Sequence, residues 1–225
     1  MGAAPEKEGT RAQGTRARAK REQVLEGARR VFLREGFAAS STDAIAREAG
    51  VSKRTLYSYY PSKEDLFAEV LRALTVENPR TRVLDFVRGA EPESPEELRG
   101  ALVGLAKKVA STMMDPEYLA LLRTIIADSH RFPQLGEIFR STVPERGLGE
   151  VRAMLKRAQE NGVVVVGDPE VMTRMFMGTL LTYTMIDGLF RPGRPRPPAP
   201  EKIEEMVDLY LKAVTDGKET ERGKA

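Results

Sequence analysis

The 225-residue chain contains no cysteine and a single histidine, His130. The first absence removes disulfides, thiolate nucleophiles and thiolate metal ligands together, and it fits a reducing compartment. The second excludes a histidine-rich metal centre, so no metal and no other cofactor is expected. Long apolar runs are missing as well. The longest uncharged stretch, Met175 to Ile186, falls short of the roughly 20 apolar residues of a spanning helix and is interrupted by Thr179, Thr182 and Thr184. The opening residues, MGAAPEKEGTRAQGTRARAKRE, are polar and lack the apolar centre of a secretory signal. A cytoplasmic protein with no membrane partner is expected. Strand signals are scarce: Val163 to Val166 could pair, but nothing obvious is available to pair with them.

Charge is present but unevenly placed. The net charge is +3, yet residues 1–63 carry 13 Lys and Arg against 7 Asp and Glu, which leaves the remainder acidic. A basic front end is what a phosphate-binding head requires, and equally what a basic tail beside an ordinary domain would show.

Residues 1–18 mix Gly, Ala, Thr, Arg and Glu without helical apolar spacing and read as a disordered basic arm, where Arg16 and Arg18, with Lys20 and Arg21 just beyond, could add phosphate contacts. Regular structure is expected from Ala19. Val24, Leu25, Ala28, Val31 and Phe32 recur every three or four residues, and Gly36 supplies a C-terminal stop. A second helix follows over DAIAREAG, with Thr42 as its capping hydroxyl and Gly50 as its end. After GVS, the segment KRTLYSYY turns Leu56 and Tyr60 inward and leaves Lys53, Arg54, Thr55, Tyr57, Ser58 and Tyr59 outward, until Pro61 stops it. Ser62 caps a fourth helix whose Leu66, Phe67, Val70, Leu71 and Leu74 form one stripe.

Beyond Asn78 and Pro79 the pattern stays helical, broken at Pro92 to Pro95, Pro116, Pro133, Pro144, Gly162 to Gly167 and Pro192 to Pro200. The expected architecture is all-α: a three-helix head over 19–63, then a helical body for ligand binding and dimerisation over 64–225. Between Val171 and Phe190 apolar residues surround the helix, more than one layer of neighbours can cover. A partner subunit would supply the rest, with Ile203, Met206, Val207, Tyr210 and Val214 as a matching stripe on the last helix and Gly178 allowing close approach. A homodimer through the last two long helices is the economical reading; a fully buried central helix in a monomer is the other.

Two short helices joined by a tight turn, the second polar outside, match the unit that lays a recognition helix in the major groove of double-stranded DNA. Lys53 and Arg54 stand at the front of the second helix, and Arg can bind guanine through two hydrogen bonds. Thr55, Tyr57, Tyr59 and Lys63 bring the hydroxyls and ammonium that grip phosphate. The stretch TDAIAREAGVSKRTLYSYYPSKEDLF closely resembles the DNA-binding signature of the TetR family of bacterial regulators, and the resemblance runs from about Ala19 to Leu71. It implies that Thr42 and Ser52 touch phosphate, that Lys53, Arg54 and Ser58 face bases, and that Thr55, Tyr57, Tyr59 and Lys63 clamp the DNA backbone. Many members have Gly where this chain has Arg54, so the base read there would differ. The remainder resembles the family's helical regulatory body. Within it YLALLRTIIADSHRFPQLGEIFRS is similar to the AefR-like subgroup, which commonly has Glu in place of Asp128.

These features imply a repressor that binds a palindromic operator as a dimer and is released by a small, largely apolar effector. Candidate pocket residues are polar groups that would be odd in a dry core, namely Arg123, Asp128, His130, Thr179 and Tyr183. Met113, Met154 and Phe176 would supply an adaptable wall together with Met114, Met172 and Met175, although for any single Met ordinary core packing is the commoner role. Two rivals stand beside this reading. One is a chromosome-organising DNA binder of the same fold that needs no inducer. The other is a helical enzyme using Asp128 and His130 as an acid–base pair, which lacks a nucleophile, a phosphate loop or a metal cluster.

Overall fold

Helix starts in this chain rely on a few residue types. Ser41, Ser52, Ser62, Ser94, Asp115 and Asp168 each accept a backbone N–H two or three residues on, satisfying donors that a first turn leaves free. Pro95, Pro116, Pro144, Pro169 and Pro200 open helices, where a missing N–H costs nothing. The computed structural model describes residues 6–165 and 167–215, with side chains from residue 14 onward. Within them it shows α1 (Glu6–Ala39), α2 (Thr42–Glu48), α3 (Lys53–Tyr59), α4 (Lys63–Leu74), α5 (Val83–Arg88), α6 (Pro95–Met113), α7 (Pro116–Asp128), α8 (Gln134–Thr142), α9 (Pro144–Glu160), α10 (Pro169–Tyr183), a π-helical turn (Thr184–Leu189) and α11 (Pro200–Thr215). No strand occurs among the described residues. Val163 and Val164 are buried between α9 and α10, and Val165 donates its N–H to the Val214 carbonyl of α11.

Four expectations change. Helix α1 begins at Glu6, well ahead of Ala19, because Ala, Arg, Gln and Lys favour helix even without an apolar stripe. Residues 1–5 of the expected arm and residues 216–225 of the body lie outside the described residues. The cap of α2 is Ser41, and Thr42 is already its first helical residue. The head does not close at residue 63: Leu66, Phe67, Val70 and Leu71 of α4 share one core with Val24, Val31, Phe32, Phe37, Ile45 and Leu56, and Tyr118, Leu122 and Ile125 of α7 and Leu135 of α8 belong to that core too. The stripe on α11 faces its own subunit, since Ile203, Val207, Tyr210 and Val214 are buried against α6, α9 and α10 in a second core.

The outward apolar face is a different set. Ile186 is 63% exposed, Phe190 67% and Leu209 61%, beside exposed Val171, Met175 and Leu181. A side chain at Gly178 would meet nothing within 4 Å. So large an uncovered face on two neighbouring helices is unusual for a monomer.

Helix α1 lies unusually close to α2. Gln23 donates to the Ala49 carbonyl at 2.6 Å, and a Cβ at Gly27 would fall 2.6 Å from that of Ala49. Glycine inside a helix costs about 1 kcal/mol against alanine, so its place here is explained by that approach. Gly27→Ala should therefore lower stability in urea unfolding by about 1 to 3 kcal/mol through overpacking. Gly149→Ala in α9, where nothing lies within 4 Å, should raise it by up to about 1 kcal/mol. Stabilisation by both substitutions would contradict the α1–α2 geometry.

Candidate nucleic-acid interface

The unit from Ser41 to Tyr60 is held rigid by its own backbone. Gly50 takes a left-handed φ of 62° between α2 and α3, and the N–H of Val51 bonds the Ala46 carbonyl at 3.0 Å. Ser52 accepts from the Thr55 N–H at 3.1 Å and lies 2.8 Å from the Thr55 hydroxyl. Leu56 and Tyr60 anchor α3 in the core. What remains outside is the polar face: Ser52, Lys53, Arg54, Tyr57 and Ser58 are exposed, while Thr55 and Tyr59 are half-buried.

The chemistry of that face is uneven. Arg54 has no hydrogen-bond or ion-pair partner among the described residues, so its whole guanidinium fork is free for a base edge. Lys53 pairs with Asp43 of α2 at 2.7 Å, and the hydrogen bond to that carboxylate raises its pKa. Both partners are well exposed, so the pair is weak and a phosphate can compete for the ammonium. The Tyr57 hydroxyl lies 3.1 Å from that of Thr42, which links the α3 face to the start of α2. Ser58 donates to the Thr55 carbonyl and keeps its acceptor lone pairs.

Lys63, expected at the DNA backbone, also serves the protein's own backbone. Its ammonium donates to the carbonyls of Phe37 and Ser40 at 2.9 and 3.0 Å and sits 4.1 Å from the centre of the Phe37 ring. Burial pushes its pKa below the ordinary lysine value. The reason is the α1–α2 corner: Gly36, at φ 75°, ends the long part of α1 and leaves carbonyls that need a donor.

The pocket candidates are scattered. Met154 and Phe176 are fully buried in the second core, and Met113 is partly buried between the two cores. Arg123 donates to the carbonyls of Gly188 and Leu189, capping the π-helical turn, which explains a charged residue there. Asp128 accepts the Ala38 N–H at 3.0 Å. His130 and Thr179 are exposed and Tyr183 is half-buried. None lines either of two open surface clefts. One, of about 560 Å³, lies between α5 and α6 at Asp85, Phe86, Ala90 and Glu97. The other, of about 620 Å³, lies between the α4–α5 loop and α9 at Val76, Glu77, Arg82, Arg88 and Arg146. Arg82 alone among the described non-glycine residues is left-handed, at φ 48°.

Sequence reading missed a second tie between head and body. Arg29 of α1 grips Glu117 of α7 with two bonds of 2.9 and 2.7 Å, and the hydrogen bond with Glu117 raises its pKa. Separation of 88 positions hides such a pair from any local signal.

Comparison with known proteins gives a consistent picture. Residues 24–70 match the model of bacterial regulatory proteins of the tetR family, and residues 100–214 match that of the AefR-like transcriptional repressor C-terminal domain. The solved structure of the flavonoid-responsive regulator FrrA is similar, with 30% identity, 88% of this chain and 98% of that chain covered, and a TM-score of 0.68. The regulator BetI of Agrobacterium fabrum is 26% identical over 88% of this chain and 91% of its own. The repressor SCO4008 of Streptomyces coelicolor is 33% identical over 44% of this chain. The chain spans less than half of two curated relatives, 46% of SCO4008 and 28% of a Bacillus subtilis regulator.

Lys63→Met keeps the apolar stem and leaves two carbonyls without their donor. It should lower unfolding stability by about 1 to 3 kcal/mol, and in the parent protein the ammonium should titrate below the ordinary lysine value by NMR. Unchanged stability with a weakened response of DNA binding to salt would restore the phosphate role.

Proposed function

Since the chain belongs to the TetR family of bacterial transcriptional regulators, whose members bind DNA and are not enzymes, we propose that it is a repressor acting as a homodimer on a palindromic operator. Helix α3 of each subunit enters the major groove, with Arg54 reading a base through its free fork, Lys53 and Ser58 facing bases, and Thr42, Ser52, Thr55, Tyr57 and Tyr59 meeting phosphates. The observation that carries this reading is the unpaired Arg54 on the exposed face of a helix fixed at both ends. Residues 19–74 serve as the reading head and the remainder as the regulatory and dimerisation body.

The exposed face of α10 and α11 is the dimer surface, and the open space at Gly178 admits a partner backbone. An effector acts on the body. A small, largely apolar molecule is the fitting class, because Met154 and Phe176, with Met113 between the two cores, make an apolar wall that methionine can reshape. The similarity to FrrA, a flavonoid-responsive regulator, supports a small-molecule trigger. Arg123, Asp128, His130, Thr179 and Tyr183 stand apart from that wall, on α7, on the turn that follows it and on α10. The effector shifts the heads by its difference in affinity between two arrangements of the dimer. Two half-sites about 34 to 36 Å apart must be met together, so a small rotation of each head suffices for release.

Arg54→Ala should cost about 1 to 3 kcal/mol in specific affinity and relax preference at one base pair, read by mobility shift on operator variants. Equal losses on operator and random DNA would contradict base reading by Arg54. Placing charge on the outward face, as Ile186→Glu with Leu209→Glu, should give a folded monomer by ultracentrifugation that has lost operator binding. A stable dimer in that variant would move the interface elsewhere.

A further inference from the structure

The connection from the π-helical turn to α11 reads FRPGRPRPPAP from Phe190 to Pro200 and stands almost wholly in solvent. Proline fixes φ at Pro192, Pro195, Pro197 and Pro198, Gly193 makes a left-handed turn at φ 85°, and the Arg196 N–H ties the loop back to the Asp187 carbonyl at 2.9 Å. The loop is therefore stiff. Its three guanidinium groups, on Arg191, Arg194 and Arg196, are exposed, and none has a hydrogen-bond or ion-pair partner among the described residues. Many arginines of this chain pair with carboxylates, among them those at 21, 29, 30, 34, 72, 88, 99, 140, 146 and 174, and these three share with Arg54 of α3 an unpaired, exposed guanidinium, here three times within six residues of one loop. The acidic residues nearest in sequence are Asp187 and Glu201, one at each end of the loop.

Where the loop starts matters as much as its charge. Leu189 is buried in the core that contains Phe32 and Phe37 of the head, and its carbonyl accepts from Arg123 of α7. Helix α7 is also the helix on which the head stands, through Arg29–Glu117 and Asp128–Ala38. The chain thus leaves α10 at the end of the body that carries the head. The same loop joins the two helices that bear the exposed apolar face.

We propose that Arg191, Arg194 and Arg196 form a second DNA contact, in which the loops of the two subunits meet phosphates at the centre of the operator between the two half-sites. The inference rests on the operator-binding dimer proposed above. In that dimer the loops flank the two-fold axis. When two major grooves one turn apart face a protein, the minor groove between them faces it too, and arginine is the side chain drawn to a narrow minor groove. Rigid, unpaired arginines lose little freedom on binding there and add affinity with little base preference.

The test compares the full-length parent, the triple variant R191A/R194A/R196A, the triple Arg→Lys variant and R54A on operator and random DNA across a salt series. Ultracentrifugation confirms that each is dimeric. For the triple alanine variant the proposal expects a loss of at least about tenfold in affinity and a slope of log K against log salt shallower by about 2 or more. The lysine variant should recover most of the slope, because phosphate accepts either cation. Parent-like affinity and slope in the triple alanine variant, while R54A loses operator binding, would overturn the loop's role alone and leave the Pro–Arg segment as a surface for a protein partner. Loss of affinity that tracks loss of the dimer would overturn it as well. A parent chain that shows no saturable operator binding would overturn the operator reading and this one with it.

Discussion

The corner between α1 and α2 is where the head and the body become one object. Gly36 turns the chain, Phe37 enters the core, and groups from elsewhere hold the corner: Lys63 serves the carbonyls of Phe37 and Ser40, Asp128 accepts the N–H of Ala38, and the Phe132 ring packs edge-on against that of Phe37 at 5.4 Å. Phe67 of α4 stacks edge-on against both Phe32 and Phe37. Each aromatic pair contributes about 0.5 to 1.5 kcal/mol beyond its burial. The larger effect is geometric, because one corner fixes α1, α4 and α7 together and so fixes the direction in which α3 points.

That arrangement supplies a route from body to DNA without any flexible linker. Movement of α7 reaches the head through the Arg29–Glu117 fork at one end and Asp128–Ala38 at the other. Movement of α4 reaches it through Lys63 and the shared core. Both ties are polar and only partly buried, so each contributes modestly to stability.

Much of this was legible in the chain itself. The stripe of α4, the inward Leu56 and Tyr60, the outward Arg54 and Tyr57 and the proline-marked breaks between helices all follow from spacing and caps. What local patterns could not show was which neighbour each face would meet. Lys63 looked like a free cation because the carbonyls it serves lie more than 20 positions away, at a corner that only tertiary structure creates. Arg123 and Asp128 likewise serve backbone groups of distant segments, which no local pattern shows. Ser41 caps α2 where Thr42 is the residue the spacing suggests, because two hydroxyls stand side by side and only the backbone angles choose between them. On α11 the periodic stripe was real, but it belonged to the subunit's own core. The exposed apolar residue of that helix, Leu209, lies between its members.

The most direct test is a mobility-shift titration of the purified protein against the DNA adjoining its own gene, at fixed salt with random DNA as competitor. The account predicts a saturable shift that resists competitor and corresponds to two subunits per operator. A shift that random DNA abolishes, there and across sites recovered genome-wide, would contradict the claim that α3 reads a defined sequence.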